Sequence, residues 1–259
     1  MATKPGTVTY RDGIAILQLI IFPFVMAVAL FIWNRTGWRV GGKVWRYPVT
    51  LSLIRIAGSI SSLLTINHDS REVETAVVVC ALIGLAPLLL TYVGLLRQID
   101  TEPKMPPRFL NFLTIVGIVG LIVGIAGVSS SDGIHSNGIV KASMGIFLAL
   151  FAIALLVTAW LFLQLRGSLR EFQKKLFLAT VLSSPFVLVR LVYSAMADYS
   201  NNPDFNVYDG NTTIYLCMDV LEEIVAMAIT MALGMSAVRA KDFIKYTPVE
   251  VHSTKPGEV

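Results

Sequence analysis

The sequence predicts an all-α, polytopic membrane protein with seven transmembrane helices, and three observations predict it. Hydrophobic residues form 55% of the 259 positions, and mean hydropathy is +0.69. Only 15% of residues are charged, against roughly 25% in a soluble domain. The apolar residues gather into seven runs, each near or above the ~20 residues a helix needs to cross the hydrocarbon core. Period-2 alternation is missing, and an open sheet edge has no place in lipid. Disordered, collagen-like and ordinary soluble classes are excluded, and the runs leave no room for a soluble catalytic domain. Two cysteines cannot form a disulfide framework. The expected organisation is a single seven-helix bundle over residues 1–240 and a flexible tail over 241–259.

The first run, 13–33, follows a polar arm and lacks a clear small-x-small cleavage site, so it reads as a retained helix. The second, 48–66, carries Arg55 and closes at Asn67-His68. The third, 73–96, holds Cys80, Gly84, Pro87 and Tyr92. The fourth, 108–128, spaces Gly117, Gly120, Gly124 and Gly127 for close helix packing. The fifth, 139–165, is apolar apart from its edges. The sixth, 173–198, holds Pro185, Arg190 and Tyr193. The seventh, 213–237, holds Cys217, Asp219, Glu222 and Glu223. Pro87 and Pro185 each remove a backbone donor and are expected to kink their helices.

The connecting loops alternate in charge. Arg35, Arg39, Lys43 and Arg46 fill the first; Arg97, Lys104 and Arg108 the third; Arg166, Arg170, Lys174 and Lys175 the fifth. Arg239, Lys241, Lys245 and Lys255 follow the last run. The even loops carry acids instead, among them Asp198, Asp204 and Asp209. By the positive-inside bias, the N-terminus is expected to be lumenal or extracellular and the C-terminus cytosolic. Asn211-Thr212-Thr213 then offers a glycosylation acceptor on the lumenal side. The basic clusters have no aromatic platform for nucleic acid and read as topology signals and contacts to anionic lipid.

The informative residues are the charges inside the apolar runs. Arg55, Arg190, Asp219, Glu222 and Glu223 lie near the expected midplane, where a lone charge is costly and normally faces a partner or water. Asp219 shares one helix face with either Glu222 or Glu223. One carboxylate is expected to balance an arginine. The other, held protonated by burial, would be an acid suited to an alkene, epoxide or carbonyl. An ion-pair network that only fixes helix packing is the competing explanation. Asp219, Glu222, Glu223 and Tyr193 are therefore the candidate catalytic residues. Arg55, Arg190, Tyr92 and Tyr215 are the candidates for binding substrate or tuning charge. His68, His135 and His252 are scattered, and no glycine fingerprint or phosphate loop is present. No metal and no cofactor are expected.

Four stretches carry a family resemblance: Ser52-Leu53-Ile54-Arg55-Ile56-Ala57-Gly58, Gly84-Leu85-Ala86-Pro87-Leu88-Leu89-Leu90, Val189-Arg190-Leu191-Val192-Tyr193-Ser194 and Val220-Leu221-Glu222-Glu223. They resemble an uncharacterised family of fungal seven-helix membrane proteins. That resemblance implies recurrent polar positions at Arg55, Arg190, Tyr193 and Glu222 or Glu223, and no activity. In size and helix content the chain is also similar, more loosely, to the small membrane-bound terpene cyclases of fungal meroterpenoid pathways, which implies acid-initiated cyclisation. The expected function is thus a membrane-embedded, cofactor-independent cyclase or isomerase of secondary metabolism. It would use a buried carboxylic acid on a lipophilic terpenoid or meroterpenoid. A seven-helix receptor or sensor for a lipophilic ligand, or a lipid or small-molecule transporter, is the alternative. Expected partners are the bilayer of the endoplasmic reticulum or plasma membrane, a lipophilic small molecule and pathway enzymes in the same membrane.

Overall fold

A computed structural model of the chain describes residues 9–64, 79–80, 83–101, 104–129, 138–167, 169–200, 205 and 210–243. His68, His135, Asp204, Asp209 and His252 lie outside the described residues. Among the described residues, seven principal helices follow in order: α1 (Tyr10–Thr36), α2 (Arg46–Leu64), α3 (Leu85–Ile99), α4 (Pro107–Ser129), α5 (Gly138–Leu165), α6 (Glu171–Tyr199) and α7 (Leu221–Val238). A single turn, Trp38–Gly41, joins α1 to α2. A turn of α-helix, Thr212–Tyr215, and a π-helical segment, Leu216–Val220, lead into α7.

Local chemistry sets several of these boundaries. Thr9 precedes α1, and its backbone N–H and hydroxyl both donate to Asp12 Oδ2 at 2.7 Å, covering orphan donors of the first turn. Gly37 ends α1 with φ of 99°, a left-handed conformation that disfavours side chains with a Cβ. The Arg170 N–H donates to Gln173 Oε1 at 3.0 Å where α6 begins. Pro185 deprives the Val181 carbonyl of its helical donor; the Ser184 hydroxyl donates to that carbonyl at 2.8 Å instead. Pro87 falls in the first turn of α3, where a proline leaves no interior hydrogen bond unmade. The helical run is interrupted just before Pro87, with a turn at Gly84 between the helical residue Ile83 and α3.

Five helices among the described residues are long and apolar enough to cross a membrane: Tyr10–Thr36, Arg46–Leu64, Arg108–Ser129, Gly138–Leu165 and Glu171–Tyr199. Their outward faces are greasy, with Ile20, Phe24, Leu156 and Leu163 each more than 60% exposed, as lipid-facing residues are. The expectation of seven transmembrane helices is corrected by this finding. α3 has 15 residues, about 22 Å of helix, short of the ~30 Å hydrocarbon core. It is buried along nearly its whole length and packs against α2, α4, α5 and α6, so it is the centre of the bundle. α7 opens with Glu222 and Glu223 and follows a π segment that holds Asp219. The three acids that the sequence places inside the seventh run sit at this junction.

The longest shared faces are between α6 and α7, α1 and α2, and α4 and α5. The α4–α5 face depends on the spaced glycines. A Cβ on Gly120 would sit 3.0 Å from Phe147, and one on Gly124 would sit 2.9 Å from Ser143 Oγ. The backbone approach lets the Ser143 hydroxyl donate to the Gly120 carbonyl at 2.7 Å.

The basic ends of the helices converge. Arg97 at the end of α3 donates to Asn111 on α4 at 2.9 Å. Gln173 on α6 donates to the Ile99 carbonyl at 2.8 Å, and Lys175 to the Ser236 carbonyl at 3.2 Å. Beyond α7, Asp242 accepts from the Glu171 N–H at 2.6 Å, and Phe243 meets Phe172 edge-on at 5.8 Å. The start of the expected tail is therefore packed, while residues 244–259 lie outside the described set.

Trp45 is fully buried near this end, against α7. A Cβ on Gly234 would fall 2.5 Å from its indole. Gly234→Ala is expected to displace the ring and cost about 1–3 kcal/mol by overpacking. An unfolding midpoint in mixed micelles would show it.

Candidate functional site

Four of the five unexpected charges come together. Arg55 on α2, Arg190 on α6, Asp219 on the π segment and Glu223 on α7 are each at most 4% exposed. Arg55 Nε donates to Glu223 Oε1 at 2.8 Å and to Oε2 at 3.0 Å, and Arg55 Nη2 also donates to Oε2. Arg190 Nη1 forms an ion pair with the same Oε2, so Glu223 bridges both guanidiniums. Asp219 closes the ring, with Oδ1 at 3.2 Å from Arg190 Nε and Oδ2 at 3.6 Å from Arg55 Nη2. Two cations and two anions leave no formal charge. That balance is what permits burial, because unpaired ions in such a place are costly.

Backbone geometry makes the ring possible. Asp219 and Glu223 are four residues apart and share a helix face. The π turn widens the helix beside them, a feature frequent at functional sites. Gly84, at the N-terminal edge of α3, lies flat against Arg55; a Cβ there would be 3.2–3.3 Å from the guanidinium. Behind Arg55, the Ser59 hydroxyl donates to the Arg55 carbonyl at 2.7 Å and contacts Gln18 Oε1 of α1 at 3.2 Å.

The ring is not fully satisfied. Arg190 Nε and Nη1 meet the acids as ion pairs without hydrogen-bond alignment. Among the described residues, Asp219 Oδ2 accepts no hydrogen bond, and the buried Tyr193 hydroxyl has no hydrogen-bond partner. Tyr193 is 2% exposed and sits one turn from Arg190 on α6. Its ring centroid is 6.3 Å from Tyr215 and 6.0 Å from Phe205. Arg11 lies over Tyr215 at 5.4 Å. The Asp219 charge acts on both tyrosine hydroxyls. Tyr193, Tyr215 and Asp219 therefore form a polar-aromatic wall beside the ring.

Two sequence-derived candidates stand apart. Tyr92 hydrogen-bonds Ser183 at 2.6 Å and packs edge-on to Phe151. Ser183 is seven residues from Arg190, about 10 Å along the helix, so Tyr92 belongs to the core. Tyr92→Phe is expected to cost about 1 kcal/mol through the lost hydrogen bond to Ser183, whose hydroxyl keeps the Ala179 carbonyl at 2.6 Å, and to spare any activity, a split that stability and turnover assays would resolve. Glu222 is only partly buried, and its Oε2 has no hydrogen-bond partner. One step along the helix from Glu223 is a rotation of about 100°, which turns it off the ring. Gly84, Ser59, Phe205 and Arg11 are neighbours that the charge pattern did not single out. Only Gly84 carried a signal, as a glycine inside an apolar run. Among the described residues, no group of three or more His, Cys, Asp or Glu is placed to hold a metal ion.

Five apolar membrane-length helices around a buried charge ring define a multi-pass integral membrane protein with a polar centre. The chain belongs to the DUF7702 family, a domain of unknown function whose pattern matches residues 8–240. No curated protein and no solved structure is significantly similar to it.

Proposed function

We propose that the protein is a membrane-embedded, cofactor-independent isomerase or cyclase acting on a lipophilic terpenoid or meroterpenoid. The carrying observation is a pair of buried polar atoms with no hydrogen-bond partner among the described residues: the Tyr193 hydroxyl, a donor, and Asp219 Oδ2, an acceptor. A substrate with a carbonyl and an acidic C–H next to it complements both. Asp219 and Glu223 are already held by guanidiniums, which makes them poor proton donors, so the acid role moves to Tyr193. In this mechanism the Tyr193 hydroxyl hydrogen-bonds the carbonyl oxygen of an enone. Asp219 Oδ2 removes a proton from the carbon chain, and the electron pair moves into a dienolate. The hydroxyl and the Arg190 guanidinium stabilise the enolate oxygen. The Asp219 carboxyl exchanges its proton with water while the dienolate persists and then delivers one to another carbon, so the double bond shifts without net proton or redox change. A tyrosine and a carboxylate dividing these roles in an apolar site is an established pattern.

The test follows deuterium. Membranes containing the protein are incubated in heavy water with a panel of terpenoid enones and prenylated phenols, and products are read by mass spectrometry. Deuterium uptake at the shifted carbon is expected, and it should vanish in Tyr193→Phe and Asp219→Asn. Unchanged uptake in both variants overturns the assignment.

A receptor or carrier is supported by a different observation. Glu223 joins α2, α6 and α7 through one carboxylate oxygen, a latch that an anionic ligand for Arg190 would open. Ligand-driven flux in liposomes, with no product formed, would favour it. Asn211 is exposed, with its Oδ1 accepting from the Thr213 N–H at 3.0 Å; a glycosidase-sensitive mobility shift lost in Asn211→Gln would establish glycosylation there.

A further inference from the structure

A second candidate site lies at the basic end of the bundle, where α3 packs against both α2 and α4. Arg46 and Arg108 are the first residues of two membrane-length helices, Arg46–Leu64 and Arg108–Ser129. Both side chains are exposed, and span ends lie at the level of lipid headgroups. Arg97, in the last turn of α3, links the two. Its Nη2 donates to Asn111 Oδ1 on α4 at 2.9 Å, and Arg108 shares that face of α4, three residues before Asn111. On the other side, a Cβ on Gly94 would sit 3.0 Å from the Val44 Cα. Gly94 and Arg97 share a face of α3, which brings Arg97 beside the segment carrying Arg46; the two charges repel each other. Nine residues, about 13 Å of helix, separate Arg46 from Arg55. The site is therefore apart from the charge ring and does not depend on the reaction proposed above.

These arginines are held in place and have no counter-ion. Arg46 Nη2 donates to the Tyr47 hydroxyl at 2.7 Å, and its guanidinium lies 4.7 Å from the centroid of the same ring. Tyr47 is itself buried, so it fixes Arg46 as Asn111 fixes Arg97. A guanidinium carries five N–H donors, and these contacts occupy one on each. Among the described residues, no carboxylate pairs with Arg46, Arg97 or Arg108. Asp100, three residues beyond Arg97, turns its oxygens to the Lys104 and Met105 N–H groups at 2.9 and 3.0 Å. Residues 43–47 and 97–111 together hold five bases and two acids. Fixed guanidiniums with free donors and surplus positive charge match a phosphate group.

The surface beneath the arginines says what carries that phosphate. Phe112, Ile115, Val119 and Ile122 follow Arg108 at intervals of three and four residues, and so form one stripe of α4. Each is at least 46% exposed. From Arg108 to Ile122 the stripe covers about 21 Å of helix, more than one leaflet's share of the ~30 Å hydrocarbon core. A phosphate at the guanidiniums with a hydrocarbon chain below it is the outline of a phospholipid. A zwitterionic choline head would bring its own cation against the three arginines, so the lipid that fits carries net negative charge. We propose that this corner binds one anionic glycerophospholipid, its phosphate among Arg46, Arg97 and Arg108 and an acyl chain along the exposed stripe of α4.

Native mass spectrometry of the purified full-length protein tests this, after equilibration in micelles with equal amounts of long-chain phosphatidic acid and phosphatidylcholine. Retention of one phosphatidic acid is expected, favoured about tenfold over phosphatidylcholine. A water-soluble short-chain phosphatidic acid should compete about tenfold less well than the long-chain form, because the stripe stays bare. Inorganic phosphate should not displace the lipid. The double variant Arg46→Gln, Arg108→Gln alters two exposed side chains and should lower retention about tenfold. Arg239→Gln removes an exposed base beyond α7 and should leave retention unchanged. Equal retention of the two lipids, displacement by inorganic phosphate, or unchanged retention in the double variant each overturns the proposal. An equal loss in Arg239→Gln also overturns it, since attraction would then be diffuse. The lipid comparisons use the unaltered protein, so misfolding of a variant does not decide the outcome.

Discussion

Glu223→Gln lowers stability by about 3–5 kcal/mol, the range for removing one partner from a buried ion pair. The effect is large because Glu223 serves two cations: both Arg55 and Arg190 reach its Oε2. The amide leaves the centre with an excess positive charge inside the bundle. Asp219→Asn is expected to cost less, since Asp219 lies 3.2 and 3.6 Å from the two guanidiniums and closes the ring from outside. The double variant Arg55→Met, Glu223→Met removes one charge of each sign and leaves Arg190 with Asp219. It should recover much of the lost stability, because well-packed apolar replacements of a buried pair are often neutral. Unfolding midpoints of Arg55→Met, Glu223→Met and the double in mixed micelles provide the cycle. Additive losses would show that Arg55 and Glu223 are not energetically coupled.

Tyr193→Phe is expected to do the opposite: stability holds within about 0.5 kcal/mol, while turnover falls by about 10²–10⁴. The reason is that the hydroxyl has no hydrogen-bond partner among the described residues. A buried polar group that makes no hydrogen bond contributes nothing that its removal would forfeit. The ring contacts to Tyr215 and Phe205 survive in phenylalanine. A variant that melts like the wild type yet loses deuterium uptake would place the hydroxyl at the reacting atoms. A variant that melts early would mean the hydroxyl is satisfied in the folded protein and serves packing.

The helical character and the membrane class were legible because apolar composition and run length act everywhere along the chain. The count of spanning helices was not. Run length alone cannot distinguish a helix bathed in lipid from one enclosed by other helices, and α3 is apolar because it is enclosed. The charge centre was half legible. Arg55, Arg190, Asp219 and Glu223 stood out as charges in apolar surroundings, and their mutual pairing follows from the cost of leaving any of them alone. Their division of labour depended on angles that spacing does not fix. The choice of Glu223 over Glu222 for the ring, and the removal of Tyr92 to the core through Ser183, follow from helix rotation. The contribution of Gly84 was hidden because its function is to offer Arg55 no side chain at all.

The bridge between Arg55 and Glu223 spans 168 residues of sequence, and this imposes an order on biogenesis. At about 5–20 residues per second, α2 leaves the ribosome on the order of ten seconds before its counter-ion exists. Arg190 emerges later and adds a second cation, not a remedy. Until α7 arrives, the nascent bundle must keep Arg55 in contact with water, with headgroups or with the insertion machinery. α7, made after the other described helices, is thus the one that closes the charge ring. A chain cut short before Asp219 would carry two stranded arginines, a lesion that membrane quality control can recognise by charge alone.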